Sequence, residues 1–249
     1  KLGAEVIGIS KEIPTDPSMF EDLKLKQMIT HYICDIRDFK SFNKIVVDEH
    51  PDVIFHLAAQ PIVSISYEDP VETITSNTVG TMNVMEILRK VDWQCAAVLI
   101  TSDKSYDNVE QVWGYKEDDA LGGKDIYSGS KGAAELIIKS YFYSFLQNKN
   151  HPVKLAVGRA GNVIGGGDWA RDRIIVDTVK AWSKQKSVGI RCPDATRPWQ
   201  HVLEALSGYL MLAHELTKND KINGQSFNFS SNKIKNITVI NFLKKIKNK

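Results

Sequence analysis

Short apolar runs rich in β-branched residues alternate along this chain with longer stretches whose apolar residues recur every three or four positions. The first pattern predicts strands and the second predicts helices. Predicted strands are Glu5–Ser10, Val53–Leu57, Ala96–Ser102, Lys154–Arg159, Ser187–Arg191 and Ser226–Phe229, with a further short strand before Asp35. Several are apolar almost throughout, as strands covered on both faces are. The clearest helix start is Asp69-Pro70-Val71-Glu72: an N-cap, a proline in the first helical position and a Glu placed to close a capping box. That helix carries Ile74, Val79, Met82, Val84, Met85 and Leu88, most of them predicted to face the sheet. A second spans about Ser128–Leu146 with Ala133, Leu136, Ile137, Tyr141 and Phe145 as its predicted inner stripe, and others follow near Ile174–Lys184, Leu203–Leu216 and Thr238–Ile246. Neither internal repeats nor low-complexity segments interrupt the alternation. The pattern predicts an α/β fold, an open doubly wound parallel sheet, with ligands bound beyond the carboxyl ends of its strands.

Length and charge narrow this further. The 249 residues, 43% hydrophobic, suit one large domain or one domain with a smaller lobe. Lys+Arg 32 against Asp+Glu 30 leaves a net charge of +2, and the one basic cluster, Lys244, Lys245 and Lys247, suits a helix C-terminus. A nucleic-acid partner is therefore not expected. Cys34, Cys95 and Cys192 are odd in number and far apart, which points to neither a disulfide framework nor a zinc site and fits a reducing cytoplasm. No apolar run reaches the roughly 18 to 20 residues of a membrane span, and no signal peptide is read. The chain opens at Lys1 without Met, and Lys1-Leu2-Gly3-Ala4 reads as a helix end with Gly3 just past it. The last helix runs into the final residue, so the expectation is a fragment of a longer protein.

Candidate chemistry gathers at predicted strand ends. Tyr127-Ser128-Gly129-Ser130-Lys131 places a phenol and an ammonium one helical turn apart on one face. A neighbouring cation favours the phenolate and can draw a tyrosine pKa down from about 10, preparing a base for a sugar hydroxyl; the same spacing also occurs by chance. Thr101-Ser102-Asp103-Lys104 would bring a hydroxyl and a carboxylate to face that tyrosine, or would form an ordinary turn capped by Asp103. His56-Leu57-Ala58-Ala59-Gln60 ends a strand in small residues that let a cofactor approach the backbone, although His56 by itself reads as a satisfied core histidine. Asp35-Ile36 could meet an adenine. Arg159, Arg171, Arg173 and Arg197 flank the glycine run Gly165–Gly167 and Trp199, and guanidinium forks in fixed loops suit a diphosphate. No Gly-Lys-Ser/Thr follows the glycines, so they form no P-loop. Gly165–Gly167 reads equally as a flexible turn and Trp199 as a core anchor.

Taken in order, HLAAQPIVSISYEDPVETITSN at His56–Asn77, TSDKSYDN at Thr101–Asn108, WGYKEDDALGGKDIYSGSKGAAEL at Trp113–Leu136, RAGNVIGGGDWARDR at Arg159–Arg173 and RPWQHVLEALSGYL at Arg197–Leu210 cover nearly the whole chain. This set resembles the extended short-chain dehydrogenase/reductases, specifically the CDP-glucose 4,6-dehydratases. The resemblance implies bound NAD and a transient oxidation of CDP-glucose, with a 4-keto-6-deoxy sugar nucleotide as product. It implies Tyr127 as base for the 4-hydroxyl, Lys131 on the nicotinamide ribose, Ser102 as hydroxyl anchor and Asp103 as acid for the 6-hydroxyl. Lys104 stands where dTDP-glucose relatives carry Glu, and becomes a hypothetical C5 base. Asp35, Ile36, Leu57, Ala58, Ala59 and Asn77 are implied around the cofactor, and Gln60, Asn162, Arg171, Arg197 and His201 around the substrate. It further implies an NAD-binding Rossmann-like domain over 1–165 and a substrate lobe over 166–249, with 197–216 returning to the sheet. A homodimer through the helices at Pro70–Leu88 and Ser128–Leu146 and a role in cell-surface polysaccharide synthesis are also implied. The family's opening strand and glycine-rich pyrophosphate loop are not in this sequence, and for the chain as it stands weak NAD binding is the expectation. Ser10-Lys11 replaces the usual acidic ribose contact, so NAD over NADP rests on the resemblance. A nucleotide-sugar 4-epimerase and a non-catalytic Rossmann-like binder remain the alternatives.

Overall fold

The computed structural model describes residues 3–230 and 237–247. Its strands are β1 (Ile7–Ser10), β2 (Thr30–Ile33), β3 (Val53–His56), β4 (Cys95–Ile100), β5 (Val153–Ala160), β6 (Val163–Ile164), β7 (Thr196–Arg197), β8 (Gln200–His201), β9 (Ser226–Phe229) and β10 (Ile237–Thr238). Its helices are α1 (Met19–Asp22), α2 (Phe39–Glu49), α3 (Val63–Glu68), α4 (Pro70–Ile74), α5 (Gly80–Leu88), α6 (Ile126–Tyr141), α7 (Ile174–Ser183), α8 (Val202–Leu216) and α9 (Val239–Lys247). Four strands form a parallel sheet in the order β3-β4-β5-β9, and β1 and β2 make a separate parallel pair. Two small ladders, parallel β6–β8 and antiparallel β7–β10, tie the later segments together. No described helix is long and apolar enough to cross a membrane.

The central strands show why the sheet is covered on both faces. Successive side chains of a strand point to opposite faces. In β4, Cys95, Ala97 and Leu99 enter one core with Val84, Met85 and Leu88 of α5 and Ile138 of α6, whereas Ala96 and Val98 enter a second core with Ala205, Tyr209 and Leu212 of α8. A strand apolar on both faces cannot lie at a surface without exposing one of them. Its carboxyl end, by the same enclosure, opens only beyond Ile100.

Several expectations shift. Residues 187–191 form no strand, and the chain there runs irregularly between α7 and β7. Asp69 does cap α4, accepting from Glu72 N at 2.9 Å, but the reciprocal half of the capping box is not made. The Glu72 carboxylate is held instead by Lys11 at 2.9 Å and by Arg37, and a charged partner outcompetes a backbone amide for it. The stretch predicted as one helix from Pro70 is α4 and α5 joined by a π-helical turn over Thr75–Val79, and α6 ends in a second one over Phe142–Leu146. The predicted inner stripe of α6 is out of phase: Leu136 and Phe145 are exposed, and Ala134, Glu135, Ile138, Phe142 and Leu146 are buried. Ile137 and Tyr141 still pack against the core from its edge, but the face turns towards the buried Glu135. Gly3 has the positive φ expected after a helix, whereas Lys1 and Leu2 lie outside the described residues, as do the last two of the chain.

Candidate active site at the carboxyl end of β4

Past Ile100 the chain leaves β4 with Ser102 extended, and its hydroxyl caps a 3-10 turn over Asp103–Ser105 by accepting from Lys104 N at 3.2 Å. The cap is therefore Ser102 and not Asp103. Ser102 Oγ donates in turn to Asp103 Oδ1 at 3.0 Å, so the hydroxyl and the carboxylate are presented together. Asp103 Oδ2 points at Gly161, where a Cβ would stand 3.3 Å from it and 2.6 Å from Pro198 Cγ. Only glycine lets the acid turn and the 197–201 segment approach each other here. Lys104 is half-buried in this turn.

Opposite the turn, Asp125 caps α6, accepting from Ser128 N at 3.0 Å and Ser128 Oγ at 2.7 Å. The first turn so fixed brings Tyr127 and Lys131 onto one face, at 8% and 6% exposure. The electrostatics differ from the sequence expectation. Burial raises the Tyr127 pKa, with Asp103 and Asp125 adding to it, while the Ser102 hydroxyl and the Arg173 guanidinium oppose. Lys131 is not what tunes the phenol in the chain alone; burial pushes the lysine itself down to about 8, and Glu135 resists that. Desolvation outweighs the neighbouring charge at both groups.

The residues expected on the cofactor side lie mainly at and after the end of β3. His56 is buried, shares a 3.0 Å contact with Thr81 Oγ1 and is pushed down to about 3 by burial and then by the charge of Lys131. It is a neutral core histidine. Leu57 and Ala58 are exposed and Ala59 is half-buried, leaving the strand end open. Asn77 closes the next turn: its Oδ1 accepts from Gln60 N at 2.7 Å and its Nδ2 donates to Gln60 O at 3.1 Å and Ser130 Oγ at 2.9 Å. Gln60 turns inward as well, donating to Thr73 Oγ1 at 2.7 Å and accepting from Ile62 N at 2.6 Å. Both amides thus brace the loop between β3 and α3, and Asn77 ties it to α6. Asp35 is committed to Arg37, whose guanidinium lies 2.6 Å away, and Ile36 packs on Gly80.

The arginines separate sharply. Arg159, read as a diphosphate ligand, points into the interior from β5 and pairs with Glu135 at 2.5 Å, each side chain 3% exposed. A wholly engaged guanidinium inside the core cannot reach a substrate, which corrects that reading. Arg171 is more than half exposed and pairs with Glu68 of α3. Arg173, not singled out among the expected substrate residues, is the arginine whose charge reaches Tyr127, and its Nε is buried without a hydrogen-bond partner. Its sequence signal is its place with Arg171 among the arginines after the glycine run. Asn162 accepts from Gln200 N through its backbone at 3.2 Å. Arg197 donates to Thr196 O at 2.8 Å, and His201 caps α8 by accepting from Leu203 N at 3.2 Å. Gly167 lies at φ +80° against Met19, and Trp199 stacks on Phe242 with ring centroids 4.6 Å apart. Ser102, Asp103 and Tyr127 therefore converge with Lys131 on the face of α6 that carries Tyr127, whereas Arg171, Arg197 and His201 each bond to a neighbour outside this cluster.

Comparison with known proteins identifies the family and the fold. The family model described as GDP-mannose 4,6 dehydratase matches residues 3–249. CDP-glucose 4,6-dehydratase of Salmonella typhimurium is 46% identical over 92% of this chain, and CDP-paratose 2-epimerase of Salmonella typhi is 26% identical over 84%. The chain spans 65% of the length of the first and 66% of the second. Among solved structures, UDP-glucose 4-epimerase of Thermotoga maritima, determined with UDP-glucose, superposes with a TM-score of 0.82 at 20% identity, covering 99% of this chain and 75% of that one. The dTDP-glucose 4,6-dehydratase of Bacillus anthracis, determined with NAD, gives 0.76 at 19% identity, covering 99% and 72%. With its parallel sheet, its Tyr127/Lys131 helix and a match running from residue 3 to residue 249, the chain belongs to the GDP-mannose 4,6 dehydratase family.

Proposed function

We propose that the intact protein carrying this chain is an NAD-dependent hydro-lyase that converts CDP-glucose to CDP-4-keto-6-deoxyglucose and water. The observation that carries this reading is the convergence of Ser102, Asp103, Tyr127 and Lys131 beyond β4, in a chain 46% identical to a CDP-glucose 4,6-dehydratase. An acid beside the hydroxyl and the phenol is what separates elimination from simple epimerisation.

The residues present fit a nicotinamide cofactor. The Lys131 ammonium is buried yet makes no ion pair or hydrogen bond with a described residue, so its donors are free for the hydroxyls of a ribose. The open β3 end, with Leu57, Ala58 and Ala59, offers backbone for the rest. Asp35 and Ile36 would border the adenine, and Asn77 would hold the loop that contains these contacts. NAD, when bound, supplies the acceptor for hydride from C4 and its return to C6. Ser102 Oγ binds the 4-hydroxyl and Tyr127 Oη accepts its proton. The resulting ketone acidifies the C5–H, whose proton passes to a base as Asp103 donates its own to the departing 6-hydroxyl, which leaves as water; a proton is given back to C5 as hydride returns to C6. Lys104 stands in the same turn as the candidate C5 base; unchanged C5 proton exchange in a Lys104→Met variant would remove it from that role. Arg171, Arg197, Asn162 and His201 border the approach of the nucleotide diphosphate, with Gln60 fixing the loop beneath them.

Three further expectations belong to this reading. Residues 1–165 act as the cofactor-binding domain and 166–249 mainly as the substrate lobe, with 197–216 returning to the sheet. Ile74 and Met82 near α4 and α5, with Leu136, Tyr143 and Phe145 of the α6 segment, are exposed apolar residues that suit a homodimer. The protein works in the cytoplasm, where nucleotide sugars are made. The test is direct: the intact protein with NAD is mixed with CDP-glucose, dTDP-glucose and UDP-glucose in parallel, and the keto product is followed by its absorbance in alkali. Product from CDP-glucose alone establishes reaction and base preference. Epimerised or untouched sugar in all three removes the dehydratase reading.

A further inference from the structure

Beneath the candidate active site lies a buried charge network that neither acid-base chemistry nor substrate binding uses. Glu135 sits one helical turn after Lys131 on α6, at 3% exposure. Its Oε1 accepts from Thr101 Oγ1 at 2.5 Å and Arg159 Nε at 2.6 Å and stands 3.1 Å from Ser105 Oγ, whose one proton it shares with Ser102 O, and its Oε2 accepts from Arg159 Nη2 at 2.5 Å. Thr101 and Ser105 are the residues on either side of the Ser102–Asp103–Lys104 turn. Ser105 also closes that turn, its N–H donating to Ser102 O at 3.0 Å, with its Oγ at 2.7 Å from the same carbonyl. Arg159 is locked from its other side by Tyr106 Oη at 2.7 Å, Glu117 O at 2.9 Å and Ser226 Oγ at 3.2 Å, and lies over the Tyr106 ring at 4.7 Å.

We propose that Glu135 is a positioning residue: held in place by Arg159, its carboxylate clamps both ends of the Thr101–Ser105 turn to α6 and so fixes Ser102 and Asp103 against Tyr127 and Lys131. The physical reason is directional. The turn and the helix come from separate parts of the chain and meet across the end of the sheet, where the backbone ladders have stopped. One carboxylate accepting from both sides of the turn constrains its orientation as well as its distance, and a buried carboxylate keeps these bonds because leaving any donor or charge unpaired there is costly. A pair serving only stability would need no contact with the turn, since Arg159 alone satisfies both carboxylate oxygens.

Two isosteric variants test this on separate atoms. Glu135→Gln removes the charge; Thr101→Val keeps the ion pair and removes one hydroxyl donor. Hydrogen exchange is measured amide by amide in the folded proteins, where Lys104 N–H and Ser105 N–H report the turn. The expected result is at least a tenfold faster exchange at these two amides in both variants, with β4 and β5 amides unchanged. The kinetic arm rests on the proposed dehydratase reaction: kcat falls at least tenfold with KM within threefold, because the acid and hydroxyl are misaligned while the sugar nucleotide still binds. Unchanged turn exchange in both variants overturns the proposal, and so does a loss of rate carried wholly by KM. If Glu135→Gln does not fold, Thr101→Val decides alone. If the parent protein has no dehydratase activity, the reaction falls and the exchange result still decides the clamp.

Discussion

The two halves of the candidate site are built in opposite ways. On the β4–α6 side, Ser102, Tyr127 and Lys131 are buried and their supports are side chains that themselves hydrogen-bond inside the protein: Asp125, Asn77, Glu135 and Arg159. On the 159–201 side, Arg171 and His201 are exposed; Arg197 and His201 bond to adjacent backbone, and Arg171 pairs with Glu68 at the surface. Proton transfer needs heavy atoms held within a few tenths of an ångström of a hydrogen-bonding distance, which a cross-braced interior supplies. Holding a charged, solvated diphosphate needs cations that water can reach before the ligand arrives. On the proposed reaction, the contrast divides chemistry from capture.

The largest effect should follow from Tyr127→Phe. It keeps the ring and its packing, so kcat should fall by about 10²- to 10⁴-fold with KM and the thermal midpoint little changed. A rate close to the parent's would place the chemistry elsewhere and dissolve the contrast. Asp103→Asn comes next, with a loss of keto-deoxy product of about 10²-fold. Oxidation at C4 should persist in that variant, seen as absorbance of the reduced cofactor, because the phenol and the lysine remain.

Lys131→Met sharpens the comparison through stability. The folded lysine, near 8, lies below its ordinary 10.5, so the unfolded chain binds the extra proton between those values. Stability contributed by this group therefore rises with pH from about 8 to about 10.5, by about 3 kcal/mol in full, and the whole cost is present below pH 8. Urea midpoints of parent and variant at pH 7 and pH 10 check the sign: the variant should gain most at pH 7. A variant less stable than the parent at pH 7 would mean that the ammonium is not paying a burial penalty. The smallest effects belong to the open side. Arg173→Ala should raise KM by about tenfold or more, as loss of a charged donor does. Arg171→Ala, whose guanidinium is solvated and already paired with Glu68, should raise it by less than about threefold. The reverse order would exchange the roles of the two arginines.

Most of the fold was legible because its signals are local. Apolar runs marked β3, β4, β5 and β9 to within a residue or two, and Asp69-Pro70 marked the start of α4. The motif around Tyr127 and Lys131 was legible for the same reason, since four residues on a helix always share a face. Local signals also misled. Residues 187–191 are apolar enough for a strand, yet no described strand pairs with them, and a strand exists only through its partner. Glu72 stands at the capping-box position, yet Lys11 and Arg37 reach it from distant parts of the chain.

What the sequence determined by itself, then, was periodicity: which segments are strands, which are helices, and which residue types stand at their ends. What only the tertiary structure decided was the environment of each charged group. Arg159 reads as a diphosphate ligand and Glu135 carries no reading at all until packing brings β5 against α6, and the phase of that helix turns with them. Tyr127 and Lys131 read as a phenol tuned by its lysine until burial proves the stronger influence on both. Hydrophobic spacing is written in neighbours along the chain, whereas desolvation and ion pairing depend on what arrives from far away in sequence, and no single segment carries that information.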